Sequence, residues 1–161
     1  MKVLTVLAIA LLWPCRPSLA QDHVQRIAPD GNTELSGVID ATRVRVTFRT
    51  STLPIPANDP DHRRFVQCTY SRVPCSLTED IRIFADGSEV IVPKAAYADL
   101  GDIATAELTT KHGHMVLTIQ GGDASESYIA QLTFNRQRVY ERRLSSGEDA
   151  GHPLEISHFY Q

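Results

Sequence analysis

Short stretches in which apolar and polar residues alternate recur along this chain, and each ends at a turn signal. The clearest stretch covers residues 43–49, where Val44, Val46 and Phe48 share one face of a predicted strand, because successive side chains of a strand point to opposite sides. A helix of the same length would distribute these residues around its axis. The pattern therefore predicts a chain built from strands that each bury one face.

Turn signals between neighbouring stretches predict three hairpins. Asp86-Gly87 separates residues 81–85 from residues 88–92, and both turn residues tolerate the positive φ angles of a two-residue hairpin. The same alternation predicts the remaining strands: 105–110 and 114–120 around 111–113, 127–134 and 138–144 around 135–137, strand 64–70, and the terminal strand 154–160.

One segment carries helix signals instead. Residues 94–100 follow Pro93 and precede Gly101, which suit the first position and the terminating position of a helix. About eight short strands and one short helix, with turns at short intervals, predict an all-β fold, namely a small antiparallel sandwich or barrel.

Two stretches give no clear strand signal. Residues 21–41 are mixed and polar, with turns expected at positions 30–31 and 36–37. Residues 51–61 contain Pro54, Pro56 and Pro60, and each proline lacks the backbone donor that a central strand needs. We therefore expect an exposed loop at 51–61, of the kind with which an inhibitor-like domain could plug a partner's cleft.

The first twenty residues have the features of a secretion signal. Lys2 precedes an apolar run of about ten residues, half of what a membrane-spanning helix needs, and Ala20 ends a small-residue cleavage motif. These features predict a cleaved secretion signal at 1–20 and a single β-rich domain at 21–161, with no membrane span. Lipid attachment at Cys15 is the alternative, in which the protein would be tethered to a membrane.

Removal of the predicted signal changes the charge of the chain. Without Lys2 and Arg16, the 16 basic residues fall to 14 against 19 acidic ones, a formal charge of −5. A duplex nucleic-acid binder needs a basic footprint, so we expect no nucleic-acid partner. We expect a periplasmic or secreted bacterial protein.

Two cysteines remain in the predicted mature chain, Cys68 and Cys75. In an oxidising compartment such a pair predicts one disulfide. Six residues separate the two cysteines, whereas redox-active pairs are usually separated by two. The pair is therefore interpreted as a structural bridge.

Local signatures of catalysis are missing. The sequence contains no G-x-S-x-G elbow, no H-E-x-x-H pair and no phosphate-binding glycine loop. We expect no enzymatic activity and no cofactor. A hydrolase whose acidic groups are assembled only by folding is an alternative, because the separation of carboxylates is invisible in a sequence.

Histidines suggest a second alternative, a periplasmic copper- or nickel-binding protein. Cleavage after Ala20 would place His23 third in the mature chain, where the amine, two amides and the imidazole form a square plane of nitrogens suited to these ions. His112 and His114 have the spacing of two ligands on one strand face. Gly113 lies between them at a predicted turn, which would separate the two rings.

Arginines on one strand suggest a contact surface. Arg43, Arg45 and Arg49 share one face of the strand at 43–49, and arginine suits bidentate contacts with carboxylates. The same residues also suit a solvated sheet face paired with acidic residues.

The terminal strand is the other candidate contact segment. By alternation we expect Leu154, Ile156 and Tyr160 in the core and Phe159 exposed on the opposite side. Together these features predict a small exported, non-enzymatic binding or accessory domain that acts on a protein partner in the cell envelope.

Overall fold

The computed structural model describes residues 24–53, 68–69 and 74–160, and these form an all-β sandwich of two antiparallel sheets. The predicted fold class is therefore confirmed. The large sheet has the strand order β1-β6-β7-β8-β9-β10, and the small sheet has the order β2-β3-β4-β5. The strands are β1 (Val24–Arg26), β2 (Gly31–Ile39), β3 (Thr42–Leu53), β4 (Cys75–Ala85), β5 (Ser88–Val90), β6 (Ile103–Lys111), β7 (His114–Gly121), β8 (Tyr128–Phe134), β9 (Val139–Ser146) and β10 (Asp149–His158).

The core lies between the two sheets and follows the predicted alternation. Val44, Val46 and Phe48 of β3 are at most 2% exposed. Leu117 and Ile119 of β7, in the opposite sheet, are fully buried. Burying a large aliphatic or aromatic side chain contributes about 1.5–3 kcal/mol relative to its exposure. This apolar layer is therefore the main stabilising element of the fold.

The hairpin turns use positive φ angles, as predicted at Asp86-Gly87, where φ is 50° and 86°. A turn that the sequence did not reveal joins β2 to β3 through Asp40 and Ala41, with φ of 48° and 62°. The turn expected at positions 36–37 is wrong, because both residues lie within the uninterrupted β2–β3 ladder.

The helix predicted at 94–100 is not formed, and only Lys94–Ala96 make a 3₁₀ turn. Pro93 and Gly101 leave seven residues between them, fewer than the 12 or so that a stable isolated helix needs. Tyr97 and Leu100 are instead buried in the core at 5% and 1% exposure. Core packing therefore decides the conformation of this segment.

Strand β9 contains a β-bulge that reverses the alternation of its side chains. Thr133 pairs with Glu141 and Phe134 pairs with Val139, so Tyr140 is the extra residue. Val139 faces the core, and Tyr140 and Glu141 both lie on the outer face. Beyond the bulge Arg142 faces inwards, opposite the buried Leu132.

The orientation predicted for the terminal strand is wrong. Leu154, Ile156 and Tyr160 are 74%, 46% and 84% exposed, whereas Phe159 is partly buried and packs against the core. The reason is the register set by β9: Glu155 turns inwards with Leu144 and reaches the buried Arg142 at 3.4 Å.

The first three residues of the loop expected at 51–61 instead belong to β3 and pair with β4. Several sequence features lie outside the described residues: the predicted signal at 1–20, His23, and positions 54–61 of the expected loop. The predicted strand 64–70 is described only at Cys68 and Thr69, where no strand is assigned. Within the described ranges, no helix is long and apolar enough to cross a membrane.

Candidate functional site

The two cysteines form the predicted disulfide, Cys68–Cys75, with their Cα atoms 5.4 Å apart. Cys75 is the first residue of β4 and is 1% exposed. The bridge therefore fixes the segment that leads into the small sheet.

A buried carboxylate anchors both sides of this bridge. Asp102 is 1% exposed, and one of its oxygens, Oδ2, accepts hydrogen bonds from the backbone and hydroxyl of Thr69 at 3.1 and 3.0 Å. The other oxygen accepts from the backbone N–H of Ser76 at 2.8 Å. Thr69 and Ser76 adjoin the two cysteines, so Asp102 holds the disulfide segment on the sandwich. No sequence motif marks this residue.

The three arginines predicted to share a strand face lie on the outer face of the small sheet. Arg45 pairs with Glu34 at 3.5 Å, and Arg49 pairs with Glu79 at 2.9 Å. Arg43 is exposed, and its backbone N–H donates to Oδ1 of Asp86 at 3.0 Å. Two of the three arginines thus form solvated ion pairs, each of which typically contributes only about 0–1 kcal/mol to stability.

An aromatic residue that the sequence did not single out completes this face. Phe84 pairs across the ladder with Arg45, and the guanidinium carbons of Arg45 and Arg82 lie 4.4 and 5.2 Å from its ring centre. The hydrogen bond between Arg82 and Glu89, 2.8 Å long, raises the pKa of the guanidinium and lowers the pKa of the carboxyl. Beside Phe84, a depression of about 460 Å³ is bordered by Val38 and Arg43.

The predicted histidine pair borders a depression of about 440 Å³ on the outer face of the large sheet, here called the Tyr140 groove. His112 lies in the turn before β7, with a φ of 53°. The Nδ1 atom of His114 is joined to the hydroxyl of Tyr140 by a 2.8 Å hydrogen bond. The described ranges contain no group of three or more His, Cys, Asp or Glu residues that could hold a metal ion.

The walls of the Tyr140 groove are charged and its floor is apolar. Val116 lies on the outer face, yet it is only 3% exposed because taller side chains surround it. At one side the Nε of Arg143 donates to Glu141 at 2.7 Å, and Glu141 also lies 3.7 Å from His158. Burial, together with the nearby Glu141 charge, raises the pKa of Tyr140, so its phenol stays protonated at neutral pH.

Strand β10 forms one edge of the large sheet. The backbone N–H of Phe159 donates to the carbonyl of Tyr140 at 3.0 Å. Backbone groups along an antiparallel strand point alternately towards and away from the partner strand, so Ser157 also faces β9. The N–H and C=O groups of Ile156 and His158 therefore point to the open edge.

Comparison with known proteins identifies no relative: no protein family, no curated protein and no solved structure matches this chain.

Proposed function

We propose that this protein is an exported, non-enzymatic binding domain that takes an extended segment of a partner protein of the cell envelope along strand β10. The open edge of this strand carries the proposal. An unpaired strand edge is a template for another extended chain, and many domains bind peptides by adding a strand in this way.

The main chain supplies the hydrogen-bonding part of the recognition. Ile156 and His158 direct their donors and acceptors away from β9, and another extended backbone can replace water at such a row of groups because it has the same spacing. A net gain of about 0.5–1.5 kcal/mol for each hydrogen bond makes the added strand a weak contact by backbone pairing alone.

The side chains supply the apolar part. Of six large apolar side chains that are exposed in the described part of the chain, three belong to the terminal segment: Leu154, Ile156 and Tyr160. Ile156 lies on the outer face of β10, Leu154 lies at its bulge, and Tyr160 lies two residues beyond its end. The matching partner segment therefore carries apolar side chains opposite these three positions. Natural edge strands usually carry charges or prolines that discourage pairing; β10 has Pro153 and Glu155 near its bulge, whereas residues 156–160 contain only His158 as a titratable cation.

The predicted secretion signal and the Cys68–Cys75 bridge support export, since disulfides persist in oxidising compartments. The short edge strand β1, with three residues, and the bulged start of β10 leave residues 155–158 as the regular open edge of the large sheet.

The test uses proline to remove one donor from the edge. Because the N–H of Ile156 does not belong to the β9–β10 ladder, Ile156→Pro removes a donor for the partner strand without breaking a bond of the monomer. The matched control is Val38→Pro, which replaces another exposed β-branched residue, 64% exposed against 46% for Ile156, on the open edge of β2. Ile39 and Thr42 flank the two-residue turn and face each other across the hairpin. Because backbone groups alternate along a strand, the N–H of Val38 points to the open edge.

The readout is photo-crosslinking in the native cell envelope, with benzoylphenylalanine in place of the exposed Tyr160. We expect the unchanged chain and the Val38→Pro chain to capture the same partner. The Ile156→Pro chain should capture at least tenfold less, and Ile156→Lys serves if the proline variant does not fold. Equal capture by all chains, or crosslinks only to a second copy of this chain, would overturn the proposal.

A further inference from the structure

We infer that the Tyr140 groove is a second binding site, separate from the β10 edge, and that it takes a single acidic sugar ring such as a hexuronate. The groove is lined by two cationic side chains, Lys111 and Arg143, and by a single acid, Glu141, with Val116 at its base. Its volume of about 440 Å³ lies within the usual range of small-ligand sites, about 300–1,000 Å³.

The cationic groups select an oxyanion. Arg143 uses only its Nε atom for Glu141, so the Nη atoms of its guanidinium fork are directed elsewhere. Lys111, across the groove, is within 3.5 Å of the Gln131 side-chain oxygen. One acid, Glu141, therefore faces two permanent cations, which leaves a net positive charge in the groove. Arginine forks match planar carboxylates bidentately.

The floor and walls select a polyhydroxylated ring over a bare ion. Val116 makes the base of the groove apolar but is only 3% exposed, so a ring would be held mainly by the polar walls. Around it stand a hydroxyl, an amide and a phenol, from Thr133, Gln131 and Tyr140. A few fixed polar groups around an apolar floor are the usual composition of a small-ligand site.

The groove is also pre-formed. Its aromatic wall is held by the 2.8 Å hydrogen bond between Tyr140 and His114 and by the edge-on contact of the two rings, whose centres are 6.0 Å apart. The opposite wall is held by the Arg143–Glu141 ion pair. Groups that are already positioned lose less conformational entropy on binding.

The test titrates purified full-length protein with D-glucuronate, D-glucose and inorganic phosphate by isothermal calorimetry. We expect glucuronate to bind, glucose to bind at least tenfold more weakly, and phosphate to bind more weakly than glucuronate. Arg143→Gln and Lys111→Gln should each weaken glucuronate binding about tenfold. The matched control is Arg26→Gln, which removes an exposed arginine from β1 at the far edge of the same sheet.

Three outcomes overturn the inference. The first is no heat of binding with glucuronate at about 10 mM. The second is equal affinity for phosphate and glucuronate. The third is an equal effect of Arg143→Gln and Arg26→Gln on glucuronate binding. The outcome is independent of the β10 proposal, because Ile156→Pro leaves the groove intact and should leave glucuronate binding unchanged.

Discussion

Replacing the buried Asp102 by asparagine should destabilise the protein strongly, although the two side chains have the same shape. In the folded chain, both carboxylate oxygens accept hydrogen bonds: Oδ2 from Thr69 and Oδ1 from Ser76. An asparagine has one acceptor and one donor group at these positions. Its amide NH₂ would therefore face a backbone N–H on one side or the other.

The magnitude follows from the bonds that are lost. A hydrogen bond to a charged group contributes about 1.5–3 kcal/mol, and an unsatisfied buried donor costs about 1–3 kcal/mol. Asn retains one of the two acceptor sides, so Asp102→Asn should cost about 3 kcal/mol in the free energy of unfolding. For a chain of this size, this corresponds to a melting temperature lower by roughly 10 °C. The backbone is not the cause, since asparagine tolerates the positive φ of 48° at this position.

The assay is urea unfolding with the disulfide kept oxidised, with Asp40→Asn as the matched control. Asp40 has the same φ of 48° but is exposed, and its hydrogen bond to Thr110 is 3.5 Å long. We expect the control to stay within about 0.5 kcal/mol of the unchanged protein. If the two variants have the same stability, Asp102 does not anchor the disulfide segment and the reasoning fails.

Three further predictions concern stability. Arg142→Met should lower the free energy of unfolding by less than about 1 kcal/mol, because the two acidic partners of this buried guanidinium stay roughly half exposed and regain water. Arg142→Ala should lower it clearly more, because alanine also loses the packing of the side chain. Urea midpoints compare the two variants. Burial, reinforced by a hydrogen bond to an acid, raises the pKa of Tyr97. The stabilising contribution of Tyr97 is therefore complete below about pH 10, the ordinary tyrosine pKa, and is lost as the pH rises through the higher pKa of the folded state. Tyr97→Phe should flatten this alkaline decline in the urea midpoint. Replacing Cys68 and Cys75 by serine should cost about 2.5 kcal/mol, the chain-entropy value for a loop of about eight residues, and dithiothreitol should then no longer lower the stability.

The strands that the sequence revealed most clearly have regular alternation or a turn that contains glycine. Val44, Val46 and Phe48 occupy alternate positions of β3, and Asp86-Gly87 is a turn that both local preference and structure favour. In these places local propensity and tertiary packing agree, which is the condition under which a pattern in the sequence determines structure.

Strand β2 was missed because its local signals disagree with its packing. Ser36-Gly37 resembles a turn, yet Gly37 pairs with Val44 in the middle of the ladder. The actual turn uses Asp40 and Ala41, and alanine is an unusual residue at positive φ. Leu35 and Ile39, which are 2% and 6% exposed, show that burial of one face overrides both signals.

The candidate sites depend on one inserted residue that no periodicity reveals. At the bulge, Tyr140 and Glu141 lie on the same face, and this places a phenol and a carboxylate together as walls of the Tyr140 groove. The same insertion turns Arg142 inwards, where it draws Glu155 to the inner face of β10. Because side chains alternate along a strand, Ile156 must then face outwards, and Leu154 and Tyr160 are exposed on either side of this regular stretch. The groove thus follows from the bulge in β9, whereas the outward side of Ile156 follows from the β9–β10 register, which has two further irregularities before Glu155. Alternation within residues 154–160 alone could not reveal this register, so it placed Phe159 outside and its apolar neighbours inside.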